Sequence, residues 1–313
     1  MRSLLLTSLL LVGCGGGREE VEPTMGLEPV LASRLEAKDK LYRANMTKFQ
    51  DSYGFLAPKG DSLLFTCLYN FTGGGVNYRP AVVNGRPLRH PEITPADSKT
   101  PISRDMMEGL LYCLSTAKDL STLEAVITFL DDNAGNLCGK DYSGFVVPIA
   151  DIIGRCTITP TLAFEIRILW QQLANVPALG FIPFDNLLVF KDLTGFEAHL
   201  LMIRLGLMGI NRGYLTSEEL NIVQYHTNRQ PRNALYSAIY HRFTDGRFED
   251  AAAILDNEDL FPSSHNPTSQ TRCADYLWQR EDAPKDWSGC GDNIEYNGLD
   301  FILAYYWIQG VKK

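Results

Sequence analysis

The stretch Asp61-Ser62-Leu63-Leu64-Phe65-Thr66-Cys67-Leu68-Tyr69-Asn70-Phe71 decides the fold class of this 313-residue chain. Apolar side chains fall on most sides of the segment, and the run Gly73-Gly74-Gly75 stops it. A helix that is apolar on most sides is buried, whereas a surface helix has one wet face. The sequence therefore predicts a buried helix from 61 to 71.

Start signals for further helices recur along the rest of the chain. Side chains of Ser, Thr and Asn can accept hydrogen bonds from the free N–H groups of a first helical turn. Such caps or capping boxes stand at Ser103, Ser121-Glu124, Thr194-Glu197, Thr216-Glu219 and Asn233. Apolar periodicity predicts further helices at 29–53, 161–174, 249–255 and 298–310. The total is about ten helices with little sheet, which predicts an all-α domain of antiparallel helical hairpins over 29–313.

The N-terminus reads as an export signal. Met1-Arg2 is followed by an apolar run that is too short to span a bilayer and ends in Leu11-Val12-Gly13-Cys14. The last four residues resemble the lipobox of bacterial lipoproteins, in which Cys14 becomes the lipidated first residue. The resemblance implies a signal peptide at 1–13, a flexible tether at 14–28, a location in the bacterial cell envelope and membrane attachment through the lipid alone.

Composition and charge exclude several classes of function. The formal charge is −8 and no cluster of Lys and Arg dominates one segment, so no nucleic-acid partner is expected. Arg79, Arg86, Arg89 and Arg104 lie close together in sequence, as a local basic cleft would require, but their interpretation as surface charges of a solvated loop is preferred. No nucleotide-binding fingerprint or Cys-x-x-Cys pair occurs, so neither a cofactor nor a metal is expected.

Six cysteines remain once Cys14 is assigned to the lipid, an even number that is typical of disulfides in an exported protein. Two pairings would close short loops, Cys138 with Cys156 and Cys273 with Cys290. The third, Cys67 with Cys113, would link two predicted helices.

A succession of helix pairs interrupted by long loops resembles the α/α toroids of many glycoside hydrolases and polysaccharide lyases. The resemblance concerns architecture over about Asp61 to Trp307. It implies an incomplete helical barrel with long loops on one rim, where a carbohydrate polymer would bind. The proline-rich stretch from Val76 to Pro101 shows no periodicity and is expected to be such a loop.

Asp61 and Asp105 are the first candidates for catalytic carboxyl groups. Both stand at predicted helix starts that flank the long loop, and glycoside hydrolysis needs two carboxyl groups facing one bond. Helix starts also favour acidic residues for capping alone, and for Asp61 that interpretation is preferred. Asp282 is an alternative partner for Asp105.

The stretch Tyr276-Leu277-Trp278-Gln279-Arg280-Glu281-Asp282 has the composition of a sugar-binding wall. Flat aromatic faces and hydrogen-bonding side chains alternate there, so Trp278 and Arg280 are candidate substrate-binding residues. Equally, the tryptophans could fill the core beneath a loop closed by Cys273 and Cys290.

Two enzyme classes and one other class remain open from the sequence. A glycoside hydrolase would use Asp105 with Asp61 or Asp282. A polysaccharide lyase would need a base and a cation for a uronate, for which Tyr240, His241 and Arg104 are candidates. The alternative is a non-catalytic envelope lipoprotein that binds a glycan or a protein.

Overall fold

The structure, a computed structural model, describes residues 27–56, 61–93, 102–139, 156–176, 195–268 and 295–310. These residues form ten α-helices and one two-stranded sheet, so the all-α prediction is confirmed for the described part of the chain. The helices are α1 Pro29–Asn45, α2 Ser62–Phe71, α3 Arg104–Ala117, α4 Leu120–Asp132, α5 Pro160–Leu173, α6 Gly195–Arg212, α7 Ser217–Arg229, α8 Ala234–Arg242, α9 Glu249–Asp256 and α10 Leu299–Gln309. Short 3₁₀ helices span Met46–Phe49 and Arg79–Ala81.

Helix α2 is central, as its composition predicts, and all ten of its residues are buried. Its most extensive contact is with α3. The two backbones approach closely because Gly109 of α3 faces Leu64, where a Cβ atom on the glycine would lie 2.4 Å from the leucine Cα. The Cys67–Cys113 disulfide joins the same two helices.

Helix α10 forms the second centre of the core. It packs against α1, α2, α8 and α9, and nine of its eleven residues are buried. Phe301 meets Tyr42 of α1 edge to face at 5.1 Å, and the ring of Trp307 is fully enclosed. The aromatic side chains of this helix therefore tie the two ends of the described chain together.

Most predicted helix starts are confirmed, with one correction. The capping box at Thr216 and Glu219 is present, and Asn233 accepts a hydrogen bond from the backbone N–H of Tyr236. Helix α4, however, begins before the predicted box at Ser121. Its cap is Asp119, which accepts a hydrogen bond from the N–H of Thr122 at 3.2 Å.

The segment after α2 is more ordered than the sequence indicates. Strands β1 Val82–Val83 and β2 Arg86–Pro87 pair antiparallel around Asn84-Gly85, whose positive φ angles fit a tight hairpin turn. An Asn-Gly pair is a strong hairpin signal, so the prediction of an irregular stretch was wrong here. Residues 94–101 of the predicted loop lie outside the described residues.

The arginines of this hairpin region are paired, and Arg86 and Arg89 are largely withdrawn from solvent, which corrects their interpretation as solvated surface charges. Arg79 is paired too, but its side chain is 63% exposed, as a surface charge would be. Arg79 donates to Asp119 at 2.9 Å, and the guanidinium of Arg89 lies 3.4 Å from Asp61. Arg86 is buried, donates to the carbonyl of Cys138 and lies over the ring of Phe129. These contacts fasten the segment to the helices around it.

Two of the three predicted disulfides are present, Cys67–Cys113 and Cys138–Cys156. Cys273 and Cys290 lie outside the described residues, as do the predicted signal peptide, most of the tether and Cys14. Within the described residues, no helix combines the length and the apolar character required to cross a membrane.

Candidate functional site

An open cleft of about 900 Å³ lies where four helices begin. Its wall includes the N-cap residue of α2, α3 and α5, together with first-turn residues of α3, α5 and α6. The charged residues lining it are Asp61, Arg89, Arg104, Asp105, Glu108, Glu197 and Arg204. The remaining lining residues are Ser103, Thr159, Pro160, Thr161, Leu200 and Leu201.

The convergence of helix starts follows from the long connections of the chain. The segment between α2 and α3 returns the chain to the same end of the pair, and the N–H of Leu63 in the first turn of α2 bonds the carbonyl of Arg89 at 3.0 Å. Free N–H groups and the positive ends of helix dipoles collect at such a place. The helix ends therefore offer hydrogen-bond donors and a positive potential at this wall of the cleft.

The structure brings Asp61 and Asp105, the first predicted carboxyl pair, to this one cleft. Asp61 holds the N-cap position of α2, but its side chain makes no capping hydrogen bond. It pairs with Arg89 instead, and a quarter of its side chain remains exposed. The preferred interpretation of Asp61 as a capping residue was therefore wrong.

Asp105 lies in the first turn of α3, one residue beyond Arg104. Its Oδ1 accepts a hydrogen bond from the hydroxyl of Ser103, the residue expected to cap this helix. Ser103 occupies the N-cap position without a side-chain capping bond, so its hydroxyl orients the Asp105 carboxylate. Asp105 is partly exposed and its carboxylate remains available to the cleft.

Glu108 and Arg204 line the cleft and form a charged cluster with Glu165, which lies behind Arg204; the sequence analysis missed this cluster. Both glutamate side chains are only 1% exposed. Arg204 bonds Glu108 directly, while its Nε lies 3.4 Å from Glu165 and makes no hydrogen bond with it. One guanidinium thus lies between two carboxyl groups, and Glu165 is the less well satisfied of the two.

Burial changes the protonation equilibria of this cluster. Desolvation raises the pKa of Glu165 well above its ordinary value, because an ionised carboxylate without hydrogen bonds is costly in the interior. Desolvation and then the like charge of Arg104 lower the pKa of Arg204 to about 10. Burial thus favours the protonated, neutral form of Glu165 beside the Arg204 guanidinium.

A sequence signal for this cluster existed. Glu108 stands in the otherwise apolar run 106–111, Glu165 between Phe164 and Ile166, and Arg204 inside the apolar run 200–210. Charged residues are almost never fully buried unless they are paired. Each of these three side chains on an apolar helical face was therefore a candidate for a buried ionic cluster.

Other predicted site residues lie elsewhere or outside the described part. Tyr240 and His241, in the last turn of α8, do not line the cleft, and His241 bonds Asp245 at 2.6 Å. Trp278, Arg280 and Asp282 lie outside the described residues. Of the predicted substrate-binding residues, the structure brings Arg104 to the cleft.

A second, smaller cavity of about 320 Å³ lies beside the aromatic rings of Phe71 and Tyr306, with Ser115, Asn211 and Lys118 on its polar side.

Within the described ranges, no cluster of three or more His, Cys, Asp or Glu side chains has an arrangement that could hold a metal ion.

No protein-family model, curated protein or solved structure matches this chain. The cleft and the sequence features above are therefore the grounds on which a function is proposed.

Proposed function

We propose that this protein is a membrane-anchored, extracytoplasmic glycan-active enzyme that cleaves a carbohydrate polymer in the cleft at the start of α3. The observation that carries the proposal is the presence of Asp61 and Asp105 in one open cleft. Hydrolysis of a glycosidic bond requires two carboxyl groups that share one solvent-filled groove. No cofactor or metal is part of the proposed chemistry.

In this proposal Asp105 and Asp61 act as the acid and base on either side of the scissile bond. The Ser103 hydroxyl orients Asp105, and the Arg89 guanidinium lies 3.4 Å from the Asp61 carboxylate. Positive helix ends stabilise negative charge that develops on the carboxyl groups and on the leaving oxygen. A hydrolase is preferred to a lyase because Tyr240 and His241, the predicted lyase bases, do not line this cleft.

The shared rim of four helix starts also supports the finer interpretation of the all-α fold as an α/α toroid. In that architecture the loops and helix ends at one rim form the substrate groove. The convergence of α2, α3, α5 and α6 at the cleft is the arrangement that such a rim would produce.

Release of reducing sugar from a panel of neutral and acidic polysaccharides tests the proposal. The Asp105→Asn variant is expected to lose about 10² to 10⁴ of the rate on any glycan that the wild type cleaves, because an amide cannot exchange a proton at neutral pH. Asp259→Asn changes an exposed aspartate outside the cleft and serves as the control. Equal rates for the two variants would remove Asp105 from the reaction.

Envelope location by a lipid on Cys14 is part of the same proposal. The two disulfides support export, because disulfides persist in oxidising compartments. Detergent-phase partitioning of the full chain expressed in a bacterium tests the anchor. Wild type is expected in the detergent phase and Cys14→Ser in the aqueous phase, and partitioning that is the same for both would contradict lipidation at Cys14.

A second candidate function is a non-catalytic envelope lipoprotein that binds a glycan or a protein. The observation in its favour is that Asp61 and Asp105 are already engaged, with Arg89 and Ser103 respectively. It predicts glycan binding without turnover, and an affinity that Asp105→Asn changes by no more than a few-fold. Calorimetry beside the reducing-sugar assay separates the two functions.

A further inference from the structure

Arg104 is a cation of the cleft that has no anionic partner among the described residues. Its guanidinium lines the cleft and makes no hydrogen bond or ion pair with any residue of the described chain. The other two arginines of the cleft are held, Arg89 by Asp61 and Arg204 by Glu108. Arg104 also lies close enough to Arg204 for the two like charges to repel. An anionic ligand group at Arg104 would relieve that repulsion.

Glu108, one turn further along the same face of α3, lacks a hydrogen-bond donor for one of its carboxylate oxygens. Its side chain is 1% exposed and lines the cleft, and its Oε2 has no hydrogen-bond partner. A buried carboxylate oxygen without a donor costs free energy unless a ligand supplies one. The natural donor is a hydroxyl group. A ligand that satisfies both residues of α3 would place an anionic group near Arg104 and a hydroxyl group about 6 Å further along the helix, near Glu108.

The balance of charges in the cleft favours a singly charged anion over a doubly charged one. Four carboxyl groups, those of Asp61, Asp105, Glu108 and Glu197, face three guanidinium groups. Against that balance a doubly charged phosphate meets more repulsion than a singly charged carboxylate, and one guanidinium matches one carboxylate in a planar two-point contact. The positive ends of α3 and α5 at the same wall add to the attraction for a single negative charge.

We propose that the cleft binds an acidic sugar, a uronate residue whose carboxylate pairs with Arg104 and whose hydroxyl donates to Glu108. This inference rests on the proposed function and names its substrate class. It assigns Arg104 a specificity role that is separate from the chemistry at Asp105.

Calorimetry with oligouronides and their methyl esters tests the inference. Oligomers of galacturonate, mannuronate and glucuronate are compared with the esters, which have the same shape without the charge. Wild type is expected to bind one free acid at least about 10-fold more tightly than its ester, as a charge-assisted contact requires. Arg104→Met is expected to abolish that preference and to leave the affinity for the ester unchanged.

The controls separate this contact from general electrostatics. Arg167→Met removes an exposed arginine of α5 that does not line the cleft, and it is expected to keep the full preference for the acid. Arg104→Lys is expected to restore part of the preference. Inorganic phosphate is expected not to compete at concentrations where the uronide saturates the site.

Four results would overturn the inference: no binding of any uronide, equal affinity for acid and ester, a preference that Arg104→Met retains, or competition by phosphate as strong as by the uronide. Failure of the proposed function is visible separately. A preference for the acid that depends on Arg104, without turnover of any glycan, leaves the ligand assignment standing and removes the enzyme. Conversely, cleavage of neutral glycans that depends on Asp105, with no preference for acids, leaves the enzyme standing and removes the uronate assignment.

Discussion

The pH dependence of stability should show that Glu165 carries a proton in the folded protein. The carboxyl group is fully buried, neither of its oxygens makes a hydrogen bond, and its pKa is raised well above the ordinary value of 4.5. Above about pH 4.5 the unfolded chain loses this proton while the folded protein keeps it. The free energy of unfolding then falls as the pH rises, until the pH reaches the folded pKa.

The size of the effect follows from proton linkage. One proton bound in the folded state alone lowers the free energy of unfolding by about 1.4 kcal/mol per pH unit, a slope that is approached about one unit above pH 4.5. Glu165→Gln keeps the shape and removes the titration. The variant should therefore gain stability relative to the wild type at this rate from about pH 5.5 upward, and the pH at which the gain levels off gives the folded pKa.

Urea unfolding with the disulfides intact, followed by circular dichroism at half-unit steps from pH 5 to pH 8, measures this difference. Glu218→Gln is the matched control, because it makes the same substitution at an exposed position of α7. Unfolding free energies of wild type and Glu165→Gln that run parallel over this range would refute a protonated Glu165. They would instead place an ionised Glu165 beside Arg204.

Three further changes test the fold around the cleft, each by urea unfolding. Replacing Cys67 and Cys113 by Ala should lower the free energy of unfolding by about 4 kcal/mol, since the bridge closes a loop of 46 residues; a loss below 1 kcal/mol would contradict its role. Gly109→Ala should cost about 1–3 kcal/mol, because the new methyl group would overlap the backbone of Leu64; an unchanged midpoint would refute the close approach of α2 and α3. Asp119→Ala should cost about 2–4 kcal/mol by removing the cap of α4 and the acceptor of a buried tyrosine hydroxyl, and a change within 0.5 kcal/mol would be inconsistent with both contacts.

Helix existence was readable from the sequence because its signals are local. Apolar periodicity and capping side chains at Thr216 and Asn233 act within one or two turns, so they placed α7 and α8 to within about a residue at the start. The same rules misplaced α4, where two candidate caps lie two residues apart. Asp119 is chosen over Ser121 because it also accepts from Tyr78 and Arg79, contacts that span about forty residues.

The candidate site was predictable only in part, for the same reason. Asp61, Arg104 and Asp105 were identified because acidic and basic residues at helix starts flanking a long connection are visible in the sequence. Their convergence with α5 and α6 depends on packing that no local pattern encodes. Glu108 and Glu165 were missed because a buried charge is explained only by its distant partner, here Arg204 on another helix.

The structure of Asp105→Asn in complex with an oligosaccharide that the wild type binds or cleaves tests the central claim most directly. We predict that the sugar lies in the cleft, with its glycosidic oxygen within roughly 2.6–3.2 Å of the side chain at 105. Asp61 should stand on the other side of that bond, with a separation of about 5–10 Å between the two side-chain groups. A sugar bound in the smaller cavity beside Tyr306, or one whose glycosidic bonds lie beyond the reach of both side chains, would contradict the assignment of this cleft as an active site.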